Sequence, residues 1–76
     1  MITVKLYGLL RIHSGIKERR LEARSMKDVW NDLMVQGITK QELDGCIILI
    51  NQKSANKRSL LTDGDVVQLM SPVAGG

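Results

Sequence analysis

The five residues Pro72, Val73, Ala74, Gly75 and Gly76 carry no acid, base or nucleophile in their side chains. Any chemistry they do belongs to the backbone, and the one reactive group there is the α-carboxylate of Gly76. Such a carboxylate has a pKa near ~3.5 and is ionised at neutral pH. An ionised carboxylate is a poor electrophile, so attaching anything to it requires activation, most simply as an acyl adenylate made from ATP by a partner. Glycine lacks Cβ, so Gly75 and Gly76 can thread a narrow channel that a side chain would block. The residues after Pro72 reach at most about 14 Å when extended. On composition alone, a frayed end or a Gly-Gly scar accounts for these residues equally well.

Other chemistry is poorly supplied. A metal site takes roughly four protein ligands, or three where it is catalytic, and the chain holds one histidine, His13, and one cysteine, Cys46. No metal is expected. Cys46 opens an apolar stretch and reads as a buried thiol. His13, beside Ser14 and Gly15, reads as a solvated loop histidine. None of the seven glycines falls in a phosphate-cradling G-x-G-x-x-G or Walker spacing. Asp63 and Asp65 flank Gly64, where a turn demands those residue types for backbone reasons. An independent enzyme is not expected, and no bound cofactor.

These residues must be carried by a small body. A chain of 76 residues makes one domain, read here as 1–72 with a flexible tail at 73–76. Hydrophobic residues make up 43% without a single Phe, so the core must be aliphatic, with Trp30 and Tyr7 the only aromatics. The net charge of +3 favours an acidic protein surface only mildly. The basic run Lys17, Arg19, Arg20 and Arg24 lacks interleaved aromatics for base stacking, so no nucleic-acid partner is expected. A lone cysteine and the absence of an apolar run of about 20 residues fit a cytoplasmic chain without a membrane partner.

Residues 2–8 alternate, with Ile2, Val4 and Leu6 on one side and Thr3, Lys5 and Tyr7 on the other, as in a half-buried strand. Residues 9–15 read as a loop. Residues 17–23 read as a charged edge strand with Leu21 and Ala23 inward and Arg19 at its frayed end. Ser25, with Asp28 three positions on, starts a helix whose Met26, Val29, Trp30 and Leu33 form one apolar stripe, closed near Gly37. Thr39 and Glu42 repeat the capping spacing over a short turn. The run 46–51 reads as a central strand, covered on both faces or flanked by partners. Residues 52–58 allow at most a short edge strand. Leu60 and Leu61 anchor the turn 62–65. In the last strand, 66–71, Val67 and Leu69 oppose Val66, Gln68 and Met70, and Pro72 marks the exit from the sheet. First and last strands should pair at the centre of a mixed four- to five-stranded sheet with one main helix on one face. That is an α+β, β-grasp plan.

The joined pattern Leu61, Asp63-Gly64-Asp65, a strand, then Pro72-Val73-x-Gly75-Gly76 resembles the MoaD/ThiS family of sulfur carriers. The stretch 9–15, the capped helix and Leu49-Ile50-Asn51 extend the likeness over the whole chain. The resemblance implies a ubiquitin-like β-grasp domain whose terminal glycine, Gly76, is adenylated by an activating enzyme of the ubiquitin-activating type and converted to a thiocarboxylate. It leans toward the small subunit of molybdopterin synthase, which implies a large catalytic subunit in a heterotetramer, with Val73 and Ala74 lining the tail's entry. Thiamine thiazole synthesis, or conjugation to target lysines as a modifier, uses the same tail. The docking surface should be the sheet face away from the helix, around Tyr7 and Met70, with Arg11 pairing to an acidic patch. In the molybdopterin branch the places beside the proline often hold aromatics; here they hold Met70 and Ser71.

Overall fold

The computed structural model describes residues 1–72. Its elements run in chain order as β1 (Ile2–Tyr7), α1 (Leu9–Ser14), β2 (Glu18–Leu21), α2 (Met26–Val35), α3 (Lys40–Asp44), β3 (Ile47–Ile50), β4 (Lys53–Ala55) and β5 (Val66–Met70). One five-stranded sheet has the order β2-β1-β5-β3-β4. β1 and β5 run parallel at its middle, in a register that pairs Val4 with Val67, Leu6 with Leu69 and Tyr7 with Met70. The other pairings are antiparallel. This is the α+β β-grasp plan.

Alternation places Ile2, Val4, Leu6, Val67 and Leu69 on the covered face, where they pack with Met26, Val29, Trp30 and Leu33 of α2. The indole Nε1 donates to Asp44 Oδ1 at 3.1 Å, so the one buried aromatic keeps its polar atom satisfied. α2 starts at Ser25 as expected, yet the serine side chain makes no capping bond. Asp28 reaches back instead and accepts from the Arg24 N–H at 2.9 Å. At the other end Gly37 takes φ 104°. The Gly37 N–H donates to Met34 O and the Ile38 N–H to Leu33 O, the paired bonds of a Schellman motif. Thr39 and Glu42 form the full reciprocal capping box of α3.

Three expectations need correction. Residues 9–14 are a helix, not a loop, held between Gly8 and the left-handed Gly15 with only Leu10 buried. The run 46–51 is flanked by β5 and β4, as expected, and its outer side is open, with Ile47 50% exposed. Leu61 is buried as an anchor, whereas Leu60 is 80% exposed. Arg19 is not frayed; it pairs with Val4 in the sheet and its Nη2 donates to Asp32 Oδ1 at 2.9 Å, tying β2 to α2.

Three residues at two places take unusual backbone angles. Gly8 adopts φ 64°, ψ −140°, a region essentially reserved for glycine. Asn51 and Gln52 both take positive φ, 50° and 67°, as a two-residue type I′ hairpin turn requires. Glutamine carries the steric cost of a left-handed residue there. Gly8→Ala should therefore destabilise the fold by about 1–3 kcal/mol. Gln52→Gly should stabilise it by about 0.5–1 kcal/mol, the relief of strain less the greater freedom of the unfolded glycine. Urea-unfolding midpoints of both variants check the two signs together.

Candidate functional site

The site is assembled where β5 ends. Met70 is the last residue of β5 and Pro72, with no N–H, is exposed beyond it. Val73, Ala74, Gly75 and Gly76 lie outside the described residues. What the structure shows is the platform from which they depart.

The start of β5 is fixed by the turn Thr62–Asp65. Asp65 N–H donates to Thr62 O at 3.0 Å, and Gly64 at the third position has φ 90°, the mark of a type II turn. Asp65 Oδ2 accepts from the Thr62 N–H at 2.8 Å and Oδ1 from Asn51 Nδ2 at 2.9 Å. These bonds, Thr62 first, hold the Asp65 carboxyl below the usual carboxylate range. Asn51 returns the contact by accepting from the Val66 N–H at 3.0 Å. Asp63 pairs with the Met1 amino group. Both aspartates are structural, as their place beside Gly64 implied.

The open face of the sheet carries a continuous row, because Tyr7 pairs with Met70 and Met70 with Ile47. Gln68 Nε2 donates to Tyr7 Oη at 3.2 Å and holds the phenol against the sheet. Tyr7 and Met70, expected on this face, are there and half-buried. Ile47 completes the row and was missed, since an unbroken apolar run shows no alternation to reveal its solvent side. Mostly basic residues flank the row: Lys5 and Arg20 share the face by register with Glu18, the partner of Lys5, and Arg11, Lys17 and Glu18 line a small cleft with Tyr7. Arg11 projects from α1, not from a loop, and is exposed.

On the other side of the exit, Leu9, His13, Glu42, Ser71 and Pro72 line a groove of about 360 Å³. His13 also sits on α1, and its Nδ1 lies 3.5 Å from Glu42 Oε2. Thr39, followed by His13, lowers the Glu42 pKa by hydrogen bonding to its carboxylate. Cys46 is half-buried, its Sγ 2.9 Å from Leu43 O, and burial pushes its pKa up to about 11. A thiol so protonated is a weak nucleophile. No group of three or more His, Cys, Asp or Glu residues is placed to hold a metal among the described residues. No described helix is long and apolar enough to cross a membrane.

A described body whose central strand ends at Met70, followed by an exposed proline, agrees with the sequence comparison, in which the ThiS family matches residues 4–76. The chain belongs to the ThiS family. Its members are small sulfur carriers of ubiquitin-like fold. No curated protein matches the chain. Among solved structures, SAMP1 of Haloferax volcanii superposes with a TM-score of 0.83 at 21% identity over 99% of this chain and 98% of that one, a likeness of fold. The small archaeal modifier protein 1 of Methanosarcina acetivorans gives 0.77 at 28% identity, covering 99% and 95%. A complex of subunits 1 and 2 of the molybdopterin-converting factor of Helicobacter pylori gives 0.74 at 28%, covering 99% and 97%.

The depressed Asp65 pKa has a definite sign. A carboxyl lowered in the folded state adds stability above its unfolded pKa and loses that contribution as pH falls through its folded value. The melting-temperature deficit of Asp65→Asn relative to the wild type should be greatest near pH 7 and should shrink below about pH 4. Thermal melts at pH 7 and pH 3 check it.

Proposed function

We propose that the chain is a sulfur carrier whose Gly76 carboxylate is the working group. A partner enzyme couples it to ATP, forming an acyl adenylate and releasing pyrophosphate. A sulfur donor then displaces AMP, leaving a thiocarboxylate that passes its sulfur to an acceptor bound elsewhere. The observation that carries this reading is that the family match runs to residue 76, taking in the diglycine. Val73 and Ala74 line the entry of the tail and Gly75 is its second slender position. The chain is a co-substrate rather than a catalyst, binds no cofactor itself, and works in the cytoplasm.

The 28% likeness to subunit 1 of a molybdopterin-converting factor supports a place as the small subunit of a synthase in molybdenum or tungsten cofactor assembly. The equal likeness to an archaeal modifier supports a second reading, in which the activated Gly76 forms an amide with target lysines. In either role the open face, with Tyr7, Met70 and Ile47 beside a mostly basic flank, is the docking surface, and the partner's matching face is apolar with a mainly acidic border.

Intact mass after incubation with an activating enzyme, ATP and a sulfur donor tests the reading. Exchange of one oxygen for one sulfur is the expected result, whereas conjugates of higher mass favour the modifier. Deleting Gly76 should abolish transfer with the melting temperature almost unchanged, and Gly75→Val should block loading. For the docking face, Ile47→Asp should weaken partner binding at least about 10-fold, the scale of an interface anchor. Calorimetry with the large subunit measures that loss.

A further inference from the structure

The short helix α1 is capped by a residue from the far end of the chain. Its N-cap position is Gly8, which has no side chain to offer. The N–H of Leu10, two residues into the helix, donates instead to Ser71 Oγ at 3.0 Å, across 61 residues of sequence. That donor is one that a local serine or aspartate ordinarily satisfies. The parallel register explains the meeting, because Tyr7 and Met70 are partners and Gly8 and Ser71 follow them. A Cβ built on Gly8 would lie 3.5 Å from Ser71 Cβ and 3.6 Å from its Oγ, so the Ser71 side chain sits directly against the space that a side chain at Gly8 would take.

We propose that Ser71 is a positioning residue for the C-terminal segment, its hydroxyl anchored to α1 so that the chain leaves the sheet in one direction. The proposal rests on the reading of Gly76 as the loaded group. Two constraints act in succession. The hydrogen bond holds the Ser71 side chain against α1, and Pro72 confines both its own φ and the backbone of Ser71 before it. Together they set the direction in which the chain leaves Ser71 and Pro72. A set departure leaves less freedom to be lost on binding, so the clamp acts on binding and not on the chemical step at Gly76. Ser71 touches no reacting atom.

The test compares Ser71→Ala, which removes the acceptor, with Ser71→Thr, which keeps it. Amide exchange at Leu10 should quicken about 5-fold in the alanine variant and return to the wild-type rate in the threonine variant. In pyrophosphate release by an activating enzyme, the KM for the alanine variant should rise about 3- to 10-fold with kcat unchanged, and threonine should restore it. Unchanged Leu10 exchange in Ser71→Ala overturns the clamp. Faster exchange with unaltered KM, or a fall in kcat instead, overturns the positioning role and leaves only a helix cap. A wild-type chain that is not adenylated at all overturns the functional reading, and with it the use of the clamp, whatever the Leu10 amide does.

Discussion

The parallel pairing of β1 with β5 is the constraint on which the rest of the molecule depends. It joins the two strands with the cleanest alternation and places them at the middle of the sheet, where Val4 and Val67 are fully buried against α2. Because the pairing is central, the chain leaves the sheet from its best-supported strand and not from a frayed edge. Because it is parallel, the ends of both strands point the same way, so whatever follows β1 meets whatever follows β5. That geometry brings Tyr7 beside Met70, Gly8 beside Ser71, and α1 against the base of the exit.

Much of this was legible in the residues. Alternation in β1 and β5, the stripe Met26, Val29, Trp30 and Leu33, and the Thr39–Glu42 spacing each encode a local structure that tertiary packing did not override. The misreadings share a cause, which is that the deciding contact lies elsewhere in the chain. A six-residue helix that buries only Leu10 has no stripe to detect, and its first turn is capped from Ser71. The apolar stretch containing Ile47 looks the same whether one side is covered or both. Arg19 looks like any charged edge residue until Asp32 of α2 is brought beside it. At the exit, Tyr7 and Met70 could be placed by alternation, but Ile47 and Ser71 needed the strand order.

The described body holds no cluster of His, Cys, Asp or Glu placed for metal chemistry. Its one thiol is held protonated by burial, its histidine lies beside Glu42, and its aspartates brace a turn, a helix start, an ion pair or the indole. The apolar row on the open face is bordered by Lys5, Arg11 and Arg20, with Glu18 beside Lys5. Family membership adds that the chain is one of a set of small sulfur carriers.

The β1–β5 ladder also bears on how the protein is made. Chains emerge from the ribosome N-terminus first, and the inner edge of β1 finds its neighbour only when β5 has been synthesised, with Tyr7 waiting for a contact 61 positions later. Non-local strand pairing of this kind is slow to form. Until β5 arrives, the nascent chain exposes an unpaired strand edge and an incomplete core. Completion of the fold is therefore gated by topology: a chain cut before β5 lacks Met70, the central pairing and the exit together.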